Sequence, residues 1–145
     1  MSFTTYARDV CLDRASDTNN PRHGVFIQAS LAKGGDPGWQ ASEKRLDDNI
    51  SNDDGWLHYT GSGRGGFSTY LKRVWLLDSH ILVAELPKIS GGYHITAMDL
   101  NLCLANDNGN FLWTAGGGLL DNKPKAWKFD ESTLGSHTQN PVKGS

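Results

Sequence analysis

Leu46-Asp47-Asp48-Asn49-Ile50-Ser51-Asn52-Asp53-Asp54-Gly55-Trp56-Leu57-His58-Tyr59 has a near-copy 54 residues further on. There Leu100, Leu104, Asn106, Asp107, Gly109, Phe111 and Trp113 answer to Leu46, Ile50, Asn52, Asp53, Gly55, Leu57 and Tyr59. Both copies read alike locally. Leu46 and Ile50, like Leu100 and Leu104, are apolar residues four apart, which fits a single helical turn leaning on a core. Asp53-Asp54-Gly55 and Asp107-Asn108-Gly109 are tight-hairpin signals, because both central positions of a type I′ turn need positive φ. Trp56–Tyr59 and Asn110–Trp113 are then expected as return strands.

The duplication extends upstream. Trp39 to Ser42 and Tyr93 to Thr96 are again 54 apart, and both alternate large and polar residues as half-buried strands do. Residues 27–31 recur as 82–86 at an offset of 55, and both segments predict strands with one buried face. Phe3-Thr4-Thr5-Tyr6 recurs as Phe67-Ser68-Thr69-Tyr70 at an offset of 64, and Phe67 to Tyr70 reads as a strand. The fall in offset assigns nine extra residues to the first copy, around Arg14 to Gly24, a polar stretch expected as an enlarged surface loop. The repeats are therefore 2–59 and 66–113, joined by a linker 60–65, together one domain over 1–113. The expected class is all-β: two tandem repeats of about five short strands each, with short helical turns. Residues 114–145 form a C-terminal extension. Apolar residues at Leu119 to Asp121 and Ala126 to Phe129 suit packing on the domain, whereas the composition after Ser132 predicts disorder.

The formal net charge of −2 leaves no basic surplus for phosphates, which argues against a nucleic-acid partner. No apolar run approaches the ~18 residues of a membrane span. The N-terminus lacks a basic start followed by an apolar stretch, so a cytoplasmic location is expected, with non-classical secretion left open. Cys11 and Cys103 do not make a disulfide framework, which suits a reducing compartment. The five histidines show no close metal-ligand spacing, so no metal or cofactor is expected. Gly61 to Gly66 matches a Gly-x-Gly-x-x-Gly spacing, but a phosphate cradle needs a helix start behind it, and a flexible linker is the plainer reading. Asp53 and Asp54 are adjacent in a turn, unlike the facing carboxyl pair of a glycosidase, and an enzyme is not expected.

The run Leu-Asp-x-x-Ile-x-Asn-x-Asp-Gly-x-Leu-x-Tyr, the Phe-Ser/Thr-Thr starts and the apolar-x-Ala-x-apolar strands are similar to the cyanovirin-N homology (CVNH) repeat. The resemblance covers about residues 2–113. It implies an elongated, pseudo-symmetric, two-lobed fold in which each lobe joins early strands of one repeat to the late hairpin of the other. It also implies a lectin that binds mannose-rich oligosaccharides or glycoproteins, with up to one shallow site per lobe. The founding pattern has a disulfide in each repeat, and the corresponding positions here are Ala7 with Leu31 and Leu71 with Leu86.

By the same resemblance, one site would combine Ser51, Asn52, Asp53 and Asp54 with Thr69, Tyr70 and Lys88. The other would combine Asn106, Asp107 and Asn108 with Thr5, Tyr6 and Lys33. Such side chains fix the donors and acceptors that sugar hydroxyls need. Tyr6, Tyr70 and Ile89 depart from the founding pattern, and Gly65 and Gly66 replace polar linker residues. On their own, Asn-Asp-x-Gly segments are ordinary turn chemistry. Tyr6 and Tyr70 could be core residues, Lys33 and Lys88 surface lysines. Trp39, Trp56, Trp75 and Trp113 are expected in the core, though an exposed one could stack on a sugar face. A non-lectin interaction module on the same fold is the alternative. A monomer is expected, with a domain-swapped dimer left open by the exchangeable repeat and Gly-rich linker.

Overall fold

A computed structural model describes residues 3–35, 38–61, 63–114 and 125–144. The first repeat folds as an antiparallel meander, β1 (Ala7–Ala15), β2 (Gly24–Ala32) and β3 (Trp39–Arg45), followed by a hairpin of β4 (Ile50–Asp53) and β5 (Trp56–Tyr59). The second repeats this order with β6 (Arg73–Leu77), β7 (Ile81–Pro87), β8 (Tyr93–Asp99) and a hairpin of β9 (Leu104–Asp107) and β10 (Asn110–Trp113). The expected helical turns are 3-10 turns at Leu46–Asp48 and Leu100–Leu102. Both hairpin tips carry the expected pair of positive φ angles, 50° and 89° at Asp54 and Gly55, 48° and 92° at Asn108 and Gly109.

Each hairpin packs on the other repeat's meander. Leu57 N–H donates to Thr96 Oγ1 on β8 (3.4 Å), and Phe111 N–H donates to Ser42 Oγ on β3 (3.3 Å). Lobe A is therefore β1–β3 with β9–β10, and lobe B is β6–β8 with β4–β5. The interlacing implied by the CVNH resemblance is present. Its reason is burial: the inward faces of both meanders and both hairpins meet in one core holding Leu12, Ile27, Leu31, Leu46, Ile50, Tyr59, Leu76, Leu82, Leu86, Leu100 and Leu104. Neither repeat could bury its own face alone. Burial raises the Tyr59 phenol to about 12, and it raises the Cys103 thiol to about 12. Cys11 and Cys103 are both free. Ala7 and Leu31 face each other across β1 and β2, and Leu71 and Leu86 share the core.

The Phe3 and Phe67 segments correct one expectation. Phe67 to Tyr70 is a turn and not a strand, and its counterpart Phe3–Tyr6 is a 3-10 turn. Each Phe is an anchor, buried in the core, and each turn is tied to the helical turn of the other repeat. Ser68 N–H donates to Asp47 Oδ1 (2.9 Å), while Thr4 N–H donates to Asn101 Oδ1 (3.4 Å). These tertiary bonds override the β-propensity of Thr and Tyr. Asp47 is buried and also accepts from Val25 N–H through Oδ2 (2.7 Å).

The extension also differs from expectation. Leu119 to Asp121 lies outside the described residues, but 125–144 is ordered. β11 (Trp127–Lys128) pairs with β8, Glu131–Ser136 forms a 3-10 turn, and β12 (Val142–Gly144) pairs in parallel with β1. Composition after Ser132 is poor in core-forming residues, yet Leu134, together with Phe129 upstream, covers Leu77, Val83 and Ala97 on the outer face of lobe B. Polar groups hold the rest. Asn140 donates to Val10 O (3.1 Å) and Ser79 Oγ (3.2 Å) and accepts from Ser79 N–H (2.7 Å). The strap thus joins lobe B to the edge of lobe A.

Candidate functional site

Asn52 and Asn106 lie beneath the hairpin tips as clamps. Asn52 Nδ2 donates to Pro87 O (3.0 Å), and its Oδ1 accepts from Gly55 N–H (2.7 Å). Asn106 repeats this with Ala32 O (2.8 Å) and Gly109 N–H (2.7 Å). Both amides are thus committed to joining a tip to the β–β loop of the other repeat. A second bond closes each junction. Asp54 Oδ1 accepts from Ile89 N–H (2.8 Å), and Asn108 Oδ1 accepts from Gly34 N–H (2.8 Å). In each lobe these bonds hold tip and loop side by side.

Strand alternation decides which groups face outward. Ser51 and Asp53 share the outward hairpin face with His58 and Trp56, their cross-strand partners. Asn52 pairs with buried Leu57 on the inward face. In lobe A, Asp107 pairs with Asn110 on the outward face and Asn106 with Phe111 on the inward one. Asp53, Asp54, Asp107 and Asn108 are exposed. Lys88 and Lys33 lie beside the tips, where a Cβ on Gly55 would come within 2.8 Å of Lys88 Cγ and one on Gly109 within 3.0 Å of Lys33 Cβ. Close approach as well as positive φ therefore calls for glycine at both positions. The second oxygen of Asp54 is left to accept, whereas Asn108 has an amide NH2 left to donate. The two junctions thus offer different chemistry.

The structure brings Asn52, Asp53, Asp54 and Lys88 together, and likewise Asn106, Asp107, Asn108 and Lys33. Thr69 and Tyr70 lie on the turn that follows the linker. Their turn is tied to the start of β4 through the Phe67 N–H bond to Ile50 O (3.0 Å), roughly 10 Å of strand from the tip. Thr69 Oγ1 donates to Gly66 O (2.8 Å). Tyr70 is exposed, as is Tyr6, so neither is a core residue. Thr5 and Tyr6 lie on the 3-10 turn that packs on β9. The four repeat tryptophans are core only in part. Trp113 is half-buried against the main core, Trp75 is half-buried against the Leu77–Phe129 cluster, Trp39 is half-buried and Trp56 is exposed.

Sequence reasoning missed the neighbours Gln40, Asn110 and His94. Gln40 Nε2 donates to Asn110 Oδ1 (2.8 Å), while at the equivalent lobe B positions the Trp56 and His94 rings lie 4.3 Å apart. The constant offset of 54 was the signal that could have found both pairs. Among the described residues, no group of three His, Cys, Asp or Glu side chains is placed to hold a metal, and no helix is long and apolar enough to cross a membrane.

A search of curated proteins gives no match. Solved structures give several. A designed cyanovirin-N homolog lectin is 26% identical, with a TM-score of 0.57, covering 79% of this chain and all of that one. A MoCVNH3 variant in complex with (N-GlcNAc)4 is 20% identical, with a TM-score of 0.64 and coverage of 77% and 96%. Microvirin in complex with mannobiose is 19% identical, with a TM-score of 0.59 and coverage of 78% and 98%. The CVNH domain family matches residues 3–111 and again 67–140. With both repeats, their interlacing and the family match in agreement, the chain belongs to the CVNH domain family.

Proposed function

We propose that this protein is a carbohydrate-binding lectin that takes mannose-containing oligosaccharides at two shallow sites, one per lobe. The observation that carries this reading is the duplicated tip-and-loop junction. In each lobe a clamped type I′ tip presents an outward carboxylate and a second polar side chain beside a lysine. Fixed donors and acceptors on a rigid frame suit a neutral polyol, which offers hydroxyls and little charge. In lobe B, Asp53 and Asp54 accept from sugar hydroxyls and Lys88 donates. In lobe A, Asp107 accepts while Asn108 and Lys33 donate. Microvirin, solved with mannobiose, supports mannose as the first sugar to try, and the (N-GlcNAc)4 complex of the MoCVNH3 variant names the second. The two unbridged, buried thiols suit a reducing compartment such as the cytoplasm.

A second reading rests on Tyr70 and Ile89, which are 77% and 90% exposed. Large apolar side chains in the open suit a protein-interaction module. Titration of isotope-labelled protein with α-linked mannobiose separates the two. A lectin shows amide shifts at 53–55 and 88–90, or at 107–109 and 33–35, and Asp53→Ala or Asp107→Ala removes one set at unchanged Tm. An unaltered spectrum at millimolar mannobiose and N-acetylglucosamine oligomer overturns the sugar-binding reading and leaves the interaction module.

A further inference from the structure

We infer that lobe B carries a stacking platform, Trp56 backed by His94, that seats the C–H face of one further pyranose beside the polar junction, and that lobe A lacks it. The inference rests on the sugar-binding reading above. Asp53 and Trp56 are cross-strand partners on the outward face of β4–β5, so the indole stands directly beside the Asp53 carboxylate. Trp56 is 42% exposed although it is one of the largest apolar side chains in the chain. His94 supports it from β8, its ring 4.3 Å away and tilted by 48°. The imidazole is itself fixed, because Nδ1 lies 2.8 Å from Gly55 O. A carbonyl only accepts, so Nδ1 carries the proton, and in the neutral ring Nε2 is left as an acceptor for a sugar hydroxyl.

The duplication supplies an internal control. The positions equivalent to Trp56 and His94 are Asn110 and Gln40, which satisfy each other amide to amide at 2.8 Å. Other contacts are kept in both lobes. Arg8 lies over Trp39 at 4.0 Å as Lys72 lies over Tyr93 at 4.9 Å, and the Asn clamps superpose bond for bond. The aromatic pair is thus a local divergence beside one junction. Apolar ring area beside hydrogen-bonding groups is what a pyranose matches, since its hydroxyls lie at the edge and its C–H groups on the face. A disaccharide held at the junction does not need the platform; a longer chain running over β5 does.

The test compares α-linked mannobiose with α-linked mannotriose by amide NMR titration, read lobe by lobe, with the Trp56 indole N–H as reporter. In the wild-type protein, lobe B is expected to prefer the trisaccharide by about tenfold, equivalent to about 1.4 kcal/mol, with the indole signal moving. Lobe A is expected to show a ratio near one. Trp56→Asn should bring the lobe B ratio to that of lobe A, and the double substitution Gln40→His with Asn110→Trp should raise the ratio in lobe A. Lobe B shifts with an unaltered ratio in Trp56→Asn overturn the platform and leave the lectin reading standing. No shift in either lobe with either sugar overturns both.

Discussion

Removing one clamp tests whether the asparagines of the hairpin tips are structural. Asn52→Ala deletes the bond to Pro87 O (3.0 Å) and the bond from Gly55 N–H (2.7 Å). Asn52 is half-buried, so water reaches the abandoned groups only in part. A hydrogen bond is worth about 1 kcal/mol net and a stranded buried group somewhat more, which sets the loss at about 2–3 kcal/mol. For a chain of this length each kcal/mol moves Tm by about 3–4 °C, so calorimetry should show a fall of about 6–12 °C. Asn106→Ala should cost the same, because it loses bonds of 2.8 and 2.7 Å in the same geometry. The clamps share no partner, so the double variant should be additive to within about 0.5 kcal/mol. Asn52→Asp keeps the acceptor for Gly55 N–H, loses the donor to Pro87 O, and should fall between. An Asn52→Ala protein with the wild-type Tm but no lobe B sugar binding would refute the reasoning, since Asn52 would then be a ligand contact and not a clamp.

Three further outcomes are expected. Gly65→Ala should destabilise by at least about 3 kcal/mol in urea unfolding, because its Cβ would sit 1.5 Å from the Asp47 carbonyl oxygen and push the linker off the bond from Gly66 N–H. Acid should loosen the C-terminal strap first. His137, then the Thr138 N–H, hold the Asp78 carboxyl below its usual range, and Arg73 does the same to Glu131. Depressed carboxyl values give stability that is present above the unfolded pKa of about 4 and lost as pH falls through the folded values. Amide protection relative to the intrinsic exchange rate should therefore fall at residues 137–144 at low pH while that of 82–86 stays high. Finally, burial lifts the Cys103 thiol to about 12, so a thiol reagent at pH 8 should leave it untouched until denaturant is added; rapid labelling of the native protein would show that the core opens locally.

The hairpins and their turns were legible because a type I′ turn states its own residues, and the offset of 54 states them twice. The clamp role of Asn52 and Asn106 was not, since the same letters serve a turn, a clamp or a ligand site, and only the inward side of the strand separates them. Phe67-Ser68-Thr69-Tyr70 has strand propensity, and the bonds that make it a turn come from Asp47 and Ile50, far away in sequence. The order of the extension left a trace that composition hides. Val83 stands where the first repeat has Gln28, so the outer face of β7 is apolar and needs a cover that β2 does not. Phe129 provides it, across 46 residues of chain that no local window spans.

The parallel pairing of β12 with β1 has a consequence for the order of events during synthesis. Leu12, Asp13 and Arg14 find their partners at Val142, Lys143 and Gly144, so the outer edge of the first strand waits for residues 130 positions further along. At ribosomal rates of about 5–20 residues per second, that edge spends roughly 7–26 s without its neighbour. An open strand edge is a template for pairing with another nascent chain. Lobe A also cannot close before β9–β10 emerges, since its hairpin comes from the second repeat. The exposure of lobe A to misassembly therefore falls in the interval before β9–β10 and β12 have been made.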